Sequence, residues 1–223
     1  MRSLILIIFI IIPYFLSAQK DTTGMVKYSP EYKFKEGIFI SFDQVKENKP
    51  VSKARIITSA KLDDIDYFEK VTSEKKIAFY DNNGIKQNIP TENIWGYCRN
   101  GTLYINWNDE FNRIPVVGKA CHFIADVTVV HQNNYYDPYY YSNPYYYPYR
   151  QPSYTTDELR QYILDFKTGK VMNYNQTSLL VILMNDPELY DEYNELKKRK
   201  RKKLKFYYLR KYNERNPLYL PAK

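Results

Sequence analysis

The chain has 223 residues, which is enough for one substantial domain or at most two small ones. Its 33 basic and 25 acidic residues give a formal net charge of +8, and this excess predicts an anionic partner. Only seven glycines and two histidines are present, and no HExxH, GxSxG or CxxC motif occurs, which argues against phosphate-cradling loops and histidine-based catalysis. We therefore expect a protein that is not an enzyme and that needs no metal or cofactor.

Residues 1–18 have the pattern of a cleavable signal peptide. Arg2 precedes an apolar run from Leu4 to Leu16, and small residues precede a cleavage point near Ala18. The run has 13 residues, whereas a membrane-spanning helix needs about 20. The sequence predicts export to the periplasm or the outer-membrane surface, with a peripheral rather than integral relation to the membrane. The expected partner is an envelope protein or an anionic membrane or polymer surface, and not nucleic acid.

Residues 19–35 are polar and are predicted to form a loose segment before a single α+β domain at 36–220. The first element of that domain is a short helix, because Ser41 and Gln44 have the spacing of a capping box. Strands then flank the turn sequence 81–84, and a second pair flanks Asn100-Gly101. These patterns predict an antiparallel sheet of hairpins followed by C-terminal helices, the last one long and basic.

The Asn100-Gly101 turn also predicts the register of its hairpin. With a type I′ turn, Arg99 pairs with Thr102, and the two faces then follow from alternation. One face is apolar and should face the core: Ile94, Gly96, Cys98, Leu103, Ile105 and Trp107. The other face carries Trp95, Tyr97 and Tyr104, which form either an exposed aromatic contact surface or, as we favour, a face covered by the C-terminal helices.

The two cysteines both fall on predicted core-facing positions. Export to an oxidising compartment allows a Cys98–Cys121 disulfide, with two buried free thiols as the alternative. Cys121 opens a predicted strand that runs to His131. His122 and His131 lie an odd number of positions apart, so this strand places them on opposite faces, where they cannot act together.

A tyrosine- and proline-rich insertion at 133–154 follows that strand. It holds ten Tyr and four Pro in 22 residues, and repeated proline opposes both strands and helices. Tyrosine rings suit stacking on sugars or peptides, so candidate aromatic contacts are Tyr139, Tyr140, Tyr145 and Tyr146. The alternative is a tolerated low-complexity insertion without a ligand.

The C-terminal part is predicted to be mainly helical. After a strand near Gln161 to Phe166, the stretch from Leu179 to Met184 fits a short helix or a buried strand. Asp186-Pro187 predicts a helix start, and a single helix is expected from Pro187 to about Tyr212.

The strongest candidate for a binding surface is a basic run within that helix: Lys197, Lys198, Arg199, Lys200, Arg201, Lys202 and Lys203. Acids early in the helix and bases later complement the helix dipole, but this accounts for one or two bases and not for seven. An anionic partner is therefore one interpretation and a merely solvated helix is the other.

Several segments resemble a family of uncharacterised exported proteins of Bacteroidetes. They are 95–98 (WGYC), 111–118 (FNRIPVVG), 161–169 (QYILDFKTG), 186–190 (DPELY) and 209–217 (LRKYNERNP). The resemblance covers most of 36–220 and leaves out the Tyr/Pro insertion. No activity is known for that family, so the resemblance implies no catalytic, metal or cofactor residue. It is consistent with an exported, non-catalytic interaction module of the cell envelope; the alternatives are an enzyme that uses buried carboxylates and an accessory subunit of an outer-membrane complex.

Overall fold

The computed structural model describes residues 24–131 and 154–222. The predicted signal peptide and four candidate aromatic contacts of the insertion lie outside the described residues: Tyr139, Tyr140, Tyr145 and Tyr146.

The described chain is an α+β structure, as predicted. The strands are β1 (Met25–Lys27), β2 (Gly37–Phe39), β3 (Ile56–Ile57), β4 (Lys76–Tyr80), β5 (Lys86–Pro90), β6 (Gly96–Arg99), β7 (Thr102–Trp107), β8 (Glu110–Arg113), β9 (Ala120–His131), β10 (Tyr154–Asp165), β11 (Val171–Asn173) and β12 (Tyr219–Pro221). The helices are α1 (Phe42–Lys46), α2 (Tyr67–Thr72), α3 (Gln176–Leu183), α4 (Pro187–Asn194) and α5 (Lys198–Arg215). Single 3-10 turns occur at Lys53–Arg55 and Thr91–Asn93.

The strands form four small antiparallel sheets rather than one. Their strand orders are β1-β12, β2-β6-β7-β8, β3-β4-β5 and β11-β10-β9. The predicted helix at α1 is confirmed, since the Gln44 amide donates to Ser41 Oγ. The predicted hairpin register is also confirmed: Arg99 lies opposite Thr102 and Tyr97 opposite Tyr104, with positive φ at Asn100 and Gly101.

The predicted side-chain alternation is wrong at the start of this hairpin. Trp95 packs against the cluster that holds Cys98, whereas Ile94 belongs to the cluster around Tyr97. The Trp95 amide donates to the carbonyls of both Phe39 and Ile40, which interrupts the regular ladder and shifts the alternation. Gly96 follows, and a Cβ there would lie 2.0 Å from the Tyr104 carbonyl oxygen.

The aromatic face of the hairpin is covered, but not by the C-terminal helices as we expected. Tyr97 stacks on Phe68 of α2, with ring centroids 4.9 Å apart, and on Tyr104 at 4.7 Å. Ile77 and Phe79 of β4 belong to the same buried cluster. The region between β3 and β5 therefore supplies the cover, and neither Tyr97 nor Tyr104 forms an exposed platform.

The C-terminal helices cover the sheet that contains β9 and β10 instead. Ala120 and Ile163 are buried against Leu179, Leu189 and Leu209 of the three helices. This arrangement confirms the helical interpretation of the stretch at Leu179. It also shows that β10 begins at Tyr154, well before the predicted strand near Gln161, so the insertion joins adjacent strand ends at His131 and Tyr154.

Part of the segment predicted to be loose is packed. Residues 25–27 pair with 219–221 at the other end of the chain, and Phe34 is buried in the central cluster. The Tyr32 hydroxyl donates to the Pro221 carbonyl at 3.1 Å. The described residues before 36 therefore pack against the same body as the later ones, because β1 pairs with β12.

Of the two alternatives for the cysteines, the structure shows two buried free thiols and no disulfide. They share the central cluster, as their core-facing positions predicted. However, the Cys98 thiol donates to the Phe34 carbonyl at 3.4 Å and the Cys121 thiol donates to the Gly118 carbonyl at 3.3 Å. Each sulfur is thus directed to a backbone oxygen rather than to the other sulfur.

Candidate functional site

The basic run lies at the beginning of a helix and not within one. The predicted helix from Pro187 to Tyr212 is two helices, because α4 ends at Asn194 and Lys197 has extended backbone angles. Asp186 caps α4 as predicted, accepting a hydrogen bond from the Leu189 amide. Neither Gly nor Pro occurs at 195–197, so the sequence carries no ordinary signal for the break.

The break reverses the electrostatic interpretation of the run. Lys198, Arg199 and Lys200 occupy the first turn of α5, where the helix dipole is positive. That turn contains no acidic residue, and the side chain of Lys197 at the N-cap accepts no hydrogen bond. Each cation in a first turn costs about 0.3–1 kcal/mol at low ionic strength. The expectation that the run complements the dipole is therefore wrong, because these cations destabilise the start of α5.

Six of the seven basic side chains are exposed: Lys197, Lys198, Arg199, Lys200, Lys202 and Lys203. None of the six forms an ion pair with a carboxylate of the described residues. Arg201 is half-buried and has a local role, since its Nη1 donates to Asn194 Oδ1 at 3.0 Å and its carbonyl accepts from the Tyr193 hydroxyl. The run is thus a cationic surface built around one structural arginine.

The positive charge of the protein is concentrated on this helix. Helix α5 contains ten basic residues and one acidic residue, Glu214, for a net charge of +9. Because the whole chain has a formal charge of +8, all other residues together carry −1. The basic composition is therefore a property of one helix and not of the whole surface.

Two apolar side chains accompany the exposed cations. Leu204 is 36% exposed and Tyr207 is 56% exposed, one turn after Lys200 and Lys203. The core-facing side of α5 is buried through Tyr208, Leu209 and Tyr212, and Leu204 lies at the edge of that side. Two apolar groups are too few to insert a helix into a bilayer, so attraction by charge must dominate any contact this surface makes.

The C-terminal end of α5 is held to the rest of the protein by polar contacts. Arg215 donates through Nε to Asp186 Oδ2 at 2.8 Å and through Nη2 to Oδ1 at 3.1 Å. The Asn216 side chain donates through Nδ2 to Asp186 Oδ2 at 2.9 Å. The Arg215 guanidinium, followed by the Asn216 and Leu189 donors, holds the pKa of Asp186 below its ordinary value. This network joins the start of α4 to the end of α5.

A second contact connects α5 to the sheet. The Asn213 side chain accepts from the Ala120 amide at 2.9 Å and donates to the Ala120 carbonyl at 2.8 Å. A Cβ at Gly118 would lie 2.5 Å from this side chain, so glycine is required for the approach. Asn213 and Arg215 therefore both hold α5 in place.

The two histidines are apart, as their spacing predicted. His122 Nε2 lies 3.1 Å from Gln161 Oε1, its ring is tilted against Tyr174, and burial lowers its pKa. His131 lies on the other face of β9, where it stacks on Tyr154 at the end of the β9–β10 pair. Residues 24–131 and 154–222 contain no group of three side chains arranged to hold a metal ion.

Comparisons of the chain with protein-family models, with curated proteins and with solved structures find no match. The candidate site therefore depends on geometry alone. Within the described ranges, no helix is both long enough and apolar enough to cross a bilayer. The structure places Lys197–Lys203 at the start of α5, where six of the seven side chains are exposed, and it buries the predicted aromatic face around Tyr97. Sequence reasoning missed Leu204 and Tyr207 as part of the surface, because their exposure depends on which side of α5 packs.

Proposed function

We propose that this protein is an exported, non-catalytic interaction module of the cell envelope, which docks peripherally on an anionic membrane surface. The docking surface is the N-terminal half of α5, with Lys198, Arg199, Lys200, Lys202 and Lys203 as the contacting cations. The observation that carries the proposal is their exposure, without carboxylate partners among the described residues, at the helix end where the dipole disfavours them.

A lipid surface fits this arrangement better than a pocket ligand does. The cations spread around almost two helical turns, so a small ligand could touch only a few of them. A lipid layer instead contacts the cations on the side that faces it and attracts the others within the screening length of about 10 Å. Each Lys or Arg near an anionic surface contributes about 1 kcal/mol. Five such residues therefore contribute at most about 5 kcal/mol, or roughly four thousandfold in partitioning.

The test compares two variants of equal charge. The surface variant replaces five α5 residues by glutamine: Lys198, Arg199, Lys200, Lys202 and Lys203. The control variant replaces five exposed lysines that lie elsewhere: Lys27, Lys61, Lys75, Lys76 and Lys86. Both lose five positive charges, so only the position of the charge differs between them. The proteins are expressed with their own leader and recovered from the cell envelope.

Binding is measured by co-sedimentation with vesicles of phosphatidylglycerol and phosphatidylcholine, and with vesicles of phosphatidylcholine alone. We expect the natural protein and the control variant to bind the anionic vesicles and to be released by salt, because exposed charges are screened. We expect the surface variant not to bind. Equal binding of both variants, or equal binding to neutral vesicles, would refute the proposal. Recovery of protein that retains residues 1–18 from the soluble cytosol would refute its export.

A further inference from the structure

A cleft lies near the other end of α5, away from the basic run. Its volume is about 640 Å³, and its walls come from the β1–β12 pair, the end of α5 and the turn between β10 and β11. Ligand sites commonly have volumes of about 300–1,000 Å³. The cleft is therefore large enough for a small organic molecule. From Lys200 to Tyr212, which lines the cleft, the helix rises about 18 Å, so the two surfaces are separate.

The polar lining of the cleft is predominantly cationic. Lys46, Lys119 and Lys167 line it, together with a single carboxylate, Asp165. Asp165 is engaged in its own turn, because Oδ1 accepts from the Lys167 amide at 3.0 Å and Oδ2 accepts from the Thr168 hydroxyl at 2.7 Å. Its charge is thus partly compensated by local donors, and the lysines are not needed to neutralise it.

The lysines differ in how far they are already paired. Lys46 Nζ lies 2.6 Å from Asp43 Oδ1 and 5.4 Å from the centre of the Phe42 ring. Lys119 and Lys167 form no ion pair within the part of the chain that the structure describes. These two ammonium groups are therefore available to an oxyanion that enters the cleft.

Aromatic rings make up much of the remaining wall. Phe166 and Tyr212 are buried with one side toward the cleft, and Tyr219 is 51% exposed at its rim. Burial and the nearby charges of Asp165 and Asp186 raise the pKa of Tyr212 to about 12. Tyr212 is therefore a neutral phenol at physiological pH, which can contact a ring and donate a hydrogen bond.

We propose that this cleft is a binding site for a small organic anion, in which a carboxylate or phosphate group is attached to a ring. Lys119 and Lys167 bind the oxyanion, and Tyr219 contacts the ring. Ammonium groups suit this role because they act as compact positive charges with several donors. The site does not depend on membrane docking, since it shares no residue with the basic run.

The test uses benzoate and phenyl phosphate as anionic probes and benzyl alcohol as their neutral counterpart. Amide chemical shifts and calorimetry are recorded for the natural protein, for Lys119→Gln with Lys167→Gln, and for the control Lys75→Gln with Lys76→Gln. We expect at least one anionic probe to shift the amides around Lys119, Lys167 and Tyr219. We also expect the cleft variant to bind that probe at least tenfold more weakly than the natural protein does, and the control to bind it with unchanged affinity. The two probes show whether the site takes a carboxylate or a phosphate.

Three results would overturn the inference: no shift with either anion, equal binding of benzyl alcohol, or unchanged affinity in the cleft variant. Lys167→Gln alone serves if the double variant does not fold, because Lys167 is exposed. The five-residue glutamine variant of α5 should bind the probes normally. Loss of vesicle binding with retained probe binding would therefore separate the two surfaces.

Discussion

Removal of the positive charge from the start of α5 should stabilise the protein. Lys198, Arg199 and Lys200 lie in the first turn, where the dipole opposes cations and no acid compensates them. Replacing all three by glutamine leaves helix propensity nearly unchanged, because lysine, arginine and glutamine rank together. The variant therefore isolates the electrostatic contribution.

The expected gain follows from the positions of the three residues. Three first-turn cations together cost about 1–3 kcal/mol at low ionic strength. Removing the like-charged pairs Lys198–Lys202 and Arg199–Lys203, each four residues apart, adds about 0.2–0.5 kcal/mol each. Because the side chains are exposed and partly screened, the lower part of this range applies, about 1–2 kcal/mol. For a protein of this size, that raises Tm by about 2–8 °C.

Thermal unfolding by circular dichroism measures the effect. At about 0.01 M salt, where the Debye length is about 30 Å, the full gain should appear, and at about 1 M salt, where it is about 3 Å, most of it should vanish. The variant Lys61→Gln, Lys75→Gln and Lys76→Gln provides the control, with no comparable gain, since these lysines lie outside the helices. A lower Tm in the α5 variant, or a gain that does not depend on salt, would contradict the dipole argument and the inferred position of the run.

Three further outcomes test the fold. Because Arg215 lowers the pKa of Asp186, this ion pair stabilises the fold fully above about pH 4, and the stabilisation is lost as the pH falls through the lowered pKa. In urea titrations, Asp186→Asn should reduce the free energy of unfolding at neutral pH and remove this part of its dependence on acid. Burial raises the pKa of Cys98 and of Cys121 to about 12, so neither thiol should react with Ellman's reagent until the protein unfolds. If the cysteines still fail to react after the protein is unfolded without a reducing agent, they form a disulfide instead. Gly96→Ala should cost about 1–3 kcal/mol in denaturant unfolding, because its Cβ meets the Tyr104 carbonyl; an unchanged midpoint would show that this close approach does not exist.

Local patterns were sufficient to predict the elements whose geometry is set by neighbouring residues. The Asn100-Gly101 turn determines the register of its hairpin because both central residues adopt positive φ. The caps at Ser41 and Asp186 were predictable for the same reason, since a side chain and an amide three residues away form the contact. The α+β class followed from the order of these elements along the chain.

Contacts between distant segments decided what the local patterns could not. The pairing of β1 with β12 joins segments that lie far apart in the sequence, and no local signal at Met25 or Tyr219 indicates it. The cover over Tyr97 came from α2 and β4 rather than from the C-terminal helices, because either layer could have buried an aromatic face of that size. The same ambiguity affected the cysteines, whose shared core position permits a bridge but does not direct the sulfurs to each other.

The sequence by itself determined that seven consecutive bases are present and that no simple dipole effect explains them all. Only the tertiary structure decided that the run starts a helix, because the break at 195–197 arises where α4 and α5 each turn an apolar side toward β9 and β10. The exposure of six cations and the local role of Arg201 follow from that packing. Charge is a property of residue types, but its position relative to a helix dipole and to solvent is a property of the fold.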